Sequence, residues 1–349
     1  MYLEGIIKIG TRTKELVKYL SINDIAIIQH DDIDELAAKA LISTGAKAVI
    51  NTGCSMTGRY ASKGTSLLVC SNVMLFDTKL DLGTFKDGDY IKLRGRDILL
   101  NNNHLYTNSC FLLNNDYIEE KLLESSCNYG LQLSNFIDNT IQYAEIEKNS
   151  ILDFNCYPEL NTSIDGRCVI VVVRSFESKD YLLGLKDFIN REKPILIGVD
   201  GGADIIISCG FAPDILIGDM DSVSDVGIYK SKDLILHAYI DGSCPCKERI
   251  EALSIKYKLL PMKGTSEDIA LLLAYDKGAS NIVLIGGHSY MTDFLDKGRP
   301  GMGSTLITRF KVADRLIDYK YIMRFNYLMD NKKTETFSKT EGDLVWMKM

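Results

Sequence analysis

Six short, unbroken apolar runs in the second half of the chain constrain its fold most: CVIVVVR, ILIGV, DILIG, LILHAY, YKLLP and NIVLIGG, between residues 168 and 287. None is long enough for a helix, and none alternates with polar residues, so each predicts a strand buried on both faces. Segments of helical length separate them. Such alternation predicts a parallel sheet covered on both sides, in which ligands bind outside the carboxyl ends of the strands.

The first half is α/β of another kind. DIAIIQH (24–30), AKAVINTG (46–53) and VMLFD (73–77) predict strands, and Ile33, Leu36, Ala37, Ala40 and Leu41 carry helical spacing between the first two. DGDYIKLRGRDILLNNN predicts a hairpin around Arg94-Gly95-Arg96. From Tyr117 to Lys148 the spacing of Ile118, Leu122, Tyr129, Leu133, Phe136, Ile137, Ile141 and Ala144 predicts one long helix, or two divided at Gly130. It reads as a packed linker or as a dimerisation helix. The expected division is an α/β domain at 1–112, a helical linker at 113–160, a nucleotide-binding domain at 161–320 and a polar tail at 321–349.

With 349 residues, 46% of them hydrophobic, the chain can bury the cores of two or three domains. Forty basic against 47 acidic residues leave a net charge of −7, which argues against nucleic acid or anionic lipid as the main partner. Nine cysteines without a framework suit a reducing compartment, hence a cytoplasmic protein. Cys244-Pro-Cys246 has no neighbouring histidine and reads as a loop rather than a zinc site. The opening MYLEGIIKIGTRTK is no signal peptide, and the apolar stretch from Tyr319 to Met329 is cut by Lys320 and Arg324, so no membrane-spanning helix is expected.

The stretch GVDGGADIIISCGFAPDILIGDMDSVSD places Asp200, Asp219 and Asp221 directly after two of the predicted strands. Asp219 and Asp221 repel each other unless a cation or donor lies between them, and Mg²⁺ suits such a pair, completing its shell with water and phosphate oxygens. Gly201 and Gly202 let the backbone approach a phosphate closely. Two readings stand side by side: a magnesium–nucleotide site, or turn and cap residues at Asp200-Gly201 and Asp221-Ser222, which Asp, Gly and Ser commonly supply. Farther on, Thr265 or Ser266 can cap a helix whose first turn holds Glu267 and Asp268. IGGHSYMTDFLDKGRPGMGST then offers glycines at 286, 287, 298, 301 and 303, the cations Lys297 and Arg299, and Ser304-Thr305 at a helix start, a candidate phosphate cradle.

The run DGGAD…GFAPDILIGDMDS resembles the signature of the thiamine pyrophosphokinase catalytic domain, whose members transfer pyrophosphate from ATP. The resemblance implies that Asp219, Asp221 and Asp268 hold Mg²⁺. It implies a place at the nucleotide phosphates for Asp200 as well, and around these acids Gly201, Gly202, Ser222, Thr265, Ser266, Asp268, Gly287, Gly301 and Ser304 are the candidates for binding ATP or another nucleotide. Lys297 and Arg299, the cations available to neutralise charge, join Asp219 and Asp221 as candidate catalytic residues. The β-sandwich with which those enzymes complete the thiamine pocket is not expected in the 30 residues after Tyr319. Across most of the chain, HDDIDELAAKALISTGAKAVINT, SMTGRYASKGTSLLV, LSNFIDNTIQYAEIE, GTSEDIALLLAYDKGA and FLDKGRPGMGSTLITRFKVADRLIDYK look like the SteA family of bacterial cytokinetic-ring proteins. That resemblance implies a Rossmann-like nucleotide-binding domain behind a swivelling-type α/β domain. It also implies work in cell division with a division-site protein partner, as a homo-oligomer. The alternative activity is an ATP-dependent pyrophosphokinase or nucleotide-dependent transferase with an acceptor other than thiamine.

The N-terminal part also looks like a swivelling phosphohistidine domain. The corresponding loop, Gly53 to Tyr60, contains no histidine. A carrier role is therefore not expected, His30 reads as a hydrogen-bonded structural residue, and Ser55, Thr57, Gly58 and Arg59 remain candidates for binding an anion.

Overall fold

Each apolar run becomes a strand in the computed structural model, which describes residues 2–71 and 73–331. The chain divides into two compact units, one of residues 1–142 and 288–302, the other of 143–287 together with the chain beyond 303.

The first unit holds an eight-stranded mixed sheet made of β1 (Tyr2–Gly10), β2 (Ile25–Ile28), β3 (Ala48–Asn51), β4 (Met74–Thr78), β5 (Tyr90–Arg94), β6 (Asp97–Leu100), β7 (His104–Tyr106) and β8 (Cys110–Leu112), in the order β7-β6-β5-β1-β2-β3-β4-β8. Strands β1 to β4 run parallel, and the flanking strands pair antiparallel. Its central strands are buried on both faces: Ile25 and Ile27 join one hydrophobic cluster, Ala26 and Ile28 the other. Arg94 pairs with Asp97 across the expected hairpin. The sequence reading missed β1 because only Leu3 and Ile7 along it are buried, so polar residues interrupt its apolar run.

Seven parallel strands form the second unit's sheet: β9 (Cys168–Val173), β10 (Ile195–Val199), β11 (Ile215–Gly218), β12 (Asp233–Ala238), β13 (Lys258–Pro261), β14 (Asn281–Ile285) and β15 (Leu316–Asp318). Their order is β13-β12-β11-β10-β9-β14-β15. Val169 and Val171 pack under the helix Ser266–Asp276, whereas Ile170 and Val172 pack against Leu182 and Ile206 on the other face. Successive strands run outward from β9 in one direction as far as β13, and the chain then returns to lay β14 on the opposite side of β9. The topological switch point therefore lies between β9 and β14.

Asn115–Leu152 is one helix of 38 residues, unbroken at Gly130, where the space for a side chain is open. A glycine inside a helix costs only about 1 kcal/mol relative to alanine. The chain from Tyr319 to Asn331, which includes the expected start of the polar tail at 321, is helical, and the remainder with Lys332-Lys333 lies outside the described residues. Among the described residues no helix is long and apolar enough to cross a membrane.

Candidate functional site

Strands β10 and β11 are parallel neighbours, and each ends directly into an acid, Asp200 and Asp219. The Asp200 amide still donates to the Ile217 carbonyl (3.0 Å), so the ladder carries the two exits side by side. Beyond it the backbone turns sharply: Asp200 has φ +47° and Met220 φ +64°, conformations that L-residues adopt at a cost. The Asp200 carboxylate folds back to accept the Met220 amide (3.0 Å) and fills the place of any side chain at Gly218, whose Cβ would lie 1.8 Å from Asp200 Oδ1. Gly202 opens the next helix so close to β9 that a Cβ would stand 1.9 Å from the Val172 carbonyl oxygen. The DGG turn is thus explained by packing on both sides of the acid.

The acids act on one another here. Burial, and then the neighbouring charges of Asp219 and Asp221, push the Asp200 carboxyl up to about 7 against the opposing pull of the Met220 amide and the Ser266 hydroxyl. Asp219 is half-buried and accepts the Asp221 amide (3.1 Å), while Asp221 is exposed. The Ser222 hydroxyl accepts from the Gly201 amide at 3.4 Å. Arg249 closes the loop from outside, donating to the carbonyls of Met220 (2.7 Å) and Val223 (2.9 Å) and pairing with Asp225.

Thr265 caps the helix Ser266–Asp276 as expected, in a capping box with Asp268. Asp268 is buried, and its Oδ2 accepts from the Thr265 amide (3.0 Å) and the hydroxyls of Ser304 (2.8 Å) and Thr305 (3.1 Å), leaving Oδ1 buried with no hydrogen-bond partner. Burial and the adjacent Glu267 raise its carboxyl above the usual range. Ser266 meets His237 Nδ1 at 3.2 Å. The Gly287 carbonyl accepts from Lys320 (3.0 Å).

Several expectations change here. Asp219, Asp221 and Asp268 are not gathered into one ligand set: among the described residues no three His, Cys, Asp or Glu are arranged to hold a metal. Asp268 instead ties the start of one helix to the start of another. Lys297, Arg299 and Gly301 belong to the first unit, where Lys297 meets His288 Nε2 at 2.7 Å. Gly301 serves close packing rather than a phosphate cradle, since a Cβ there would lie 2.9 Å from the Thr140 amide nitrogen of the long helix.

In the first unit the loop after β3 is closed to anions, because carboxylates already occupy its amides. Cys54 N donates to Asp31 (2.8 Å), Ser55 N to Asp77 (3.0 Å) and Thr57 N to Asp32 (2.8 Å). Arg59 approaches Asp32 at 4.0 Å. His30 is the hydrogen-bonded residue expected, between Thr13 (3.3 Å) and Asp34 (3.5 Å). Tyr60 hydrogen-bonds Asp296, whose carboxyl is pushed up to about 7 by burial and by the charges of Asp34, Asp293 and Asp32.

Two further residues of the second unit escaped the sequence reading. Arg174 follows β9 as Asp200 follows β10, so the rule that found the acids could have found it. Arg249 carried no such signal: it lies inside a short helix, Lys247–Ala252, and is joined to the acid loop only by the fold.

No family model matches the chain, and no curated protein matches it. Among solved structures, it is similar to 3-isopropylmalate dehydratase of Methanocaldococcus jannaschii, at 15% identity over 38% of this chain and 98% of that one, with a TM-score of 0.25.

Proposed function

We propose that the second unit binds a nucleotide as its Mg²⁺ complex at the exits of β10 and β11. The supporting observation is the convergence of Asp200, Asp219 and Asp221 on two adjacent strand ends, where the charges of Asp219 and Asp221 help raise the buried Asp200 carboxyl. Asp219 and Asp221 suit a metal that takes one or two carboxylates and completes its shell with water and phosphate oxygens. When bound, Mg²⁺ would offset the mutual repulsion of these acids. Asp200 would order the two turns, with Gly201, Gly202 and Ser222 presenting backbone and hydroxyl groups, and Asp268 would act from behind by fixing Thr265, Ser266 and Ser304.

Combined with the resemblance of its motifs, this makes the chain a SteA-like division protein, with a thiamine pyrophosphokinase-like domain behind a swivelling-type first domain. Nucleotide occupancy would govern its encounter with a division-site partner. The test is thermal denaturation with ATP and other nucleotides, with and without Mg²⁺. A ligand at a hundred times its Kd should add about 2.7 kcal/mol, and Asp219→Asn should abolish the Mg²⁺-dependent part while leaving the unliganded midpoint in place. A shift retained in that variant would move the site elsewhere. Release of AMP in the same mixtures would show a transferase rather than a binding protein.

A further inference from the structure

Arg174 leaves the carboxyl end of β9 at the switch point of the sheet, where an open parallel sheet has its crevice. It is exposed, and no carboxylate among the described residues holds it. Three other cations of this unit are engaged: Arg309 with Glu267 (3.2 Å) and Asp318 (3.3 Å), Arg249 with two carbonyls, and Lys320 with Gly287. Arg174 instead lies along Gly201, so close that a Cβ on that glycine would stand 2.9 Å from its Cδ and 3.1 Å from the Ser222 carbonyl oxygen. An unpaired guanidinium and a carboxylate pair thus flank one residue that has no side chain.

That juxtaposition selects a chemical class. A site for a bare cation gains nothing from an arginine, and a site for a bare anion is opposed by Asp219 and Asp221. A metal-complexed polyphosphate carries both signs, with its cation toward the acids and free phosphate oxygens beyond. The guanidinium offers a planar fork of donors matched to phosphate oxygens. On the switch point's other side, Gly286, at φ +75°, leaves no room for a side chain beside Ser175 and Ser178, so the crevice floor is backbone and hydroxyl.

We infer that Arg174 is the phosphate-binding cation of the second unit, and that the polyphosphate of its ligand runs over Gly201 from the Asp219–Asp221 pair into the crevice between β9 and β14. This rests on the nucleotide reading and extends it to a residue and a direction.

The experiment is titration calorimetry of the full chain with three probes, Mg²⁺–ATP, tripolyphosphate and adenosine, for the wild type, Arg174→Ala, Arg174→Lys and Asp219→Asn. Arg174→Ala should weaken both phosphate probes by about ten- to hundredfold and leave adenosine unchanged, and Arg174→Lys should recover part of the loss. Equal far-ultraviolet spectra and melting midpoints for wild type and Arg174→Ala exclude misfolding. Mg²⁺–ATP binding lost in Asp219→Asn but intact in Arg174→Ala would overturn the role of Arg174 and keep the nucleotide reading. Tripolyphosphate binding that depends on Arg174, without any nucleotide binding, would keep the arginine as an anion site and remove that reading. Wild-type protein that binds neither phosphate probe would overturn both.

Discussion

Arg249 acts on the acids without standing among them: its fork grips the carbonyls of Met220 and Val223, the residues that bracket Asp221. Arg249→Ala should therefore raise the Kd for Mg²⁺–nucleotide by about tenfold through a loosened loop. Arg249→Lys should restore little, because a single ammonium does not span both carbonyls; calorimetry reads each value. Buried carboxyls govern the response to pH. Asp296 is raised from 3.8 to about 7 in the folded first unit, and Asp77 from 3.8 to about 6, in both cases chiefly by burial. Between about pH 4 and pH 7 the folded state thus binds more protons than the unfolded chain, and stability present below pH 4 is lost as pH rises through the folded values. Melting midpoints should fall across that window. Asp296→Asn should flatten the fall in part, the remainder belonging to groups such as Asp77, and a slope as steep as wild type would show that Asp296 is not protonated when folded.

At the level of elements, the helix Ser266–Asp276 depends on its cap. Thr265→Ala removes the acceptor of the Asp268 amide and should cost about 1 kcal/mol in denaturant unfolding. Gly202→Ala should cost about 1–3 kcal/mol, since the new Cβ meets a carbonyl of β9 that cannot move without breaking the sheet. These elements were readable from the sequence because their causes are local. Six apolar runs announced six strands, all buried but β13, which lies at the sheet edge and buries only Leu260, and Thr265 with Asp268 announced a helix start. The acids at 200 and 219 followed from the same strand ends. The three-residue strands β7 and β15 were too short to show a period. The glycines at 301 and 303 looked like a phosphate loop because composition does not say whether bare backbone is needed for a ligand or for a neighbouring helix. Arg249 was invisible, since only the three-dimensional chain brings residue 249 to residue 220.

On the scale of the whole molecule, each unit has its own sheet and its own buried clusters. Two compact units of this kind depart from all-or-none unfolding, so calorimetric melting should resolve two transitions, and Mg²⁺–nucleotide should raise only the one belonging to the second unit. A single transition that moves as a whole would show the units melting together. The first unit, however, is not a continuous stretch of chain. Residues 288–302 return to it, placing Phe294 against Phe136 at 5.9 Å between ring centres and Asp296 beside Tyr60. On the ribosome that return is late: the 145 residues from 143 to 287 come first, which at about 5–20 residues per second takes roughly 7 to 30 s. For that interval the nascent first unit carries Phe136 and Leu133 uncovered, and chaperone binding or premature self-association would fall there, before the last strand of the second sheet has been translated.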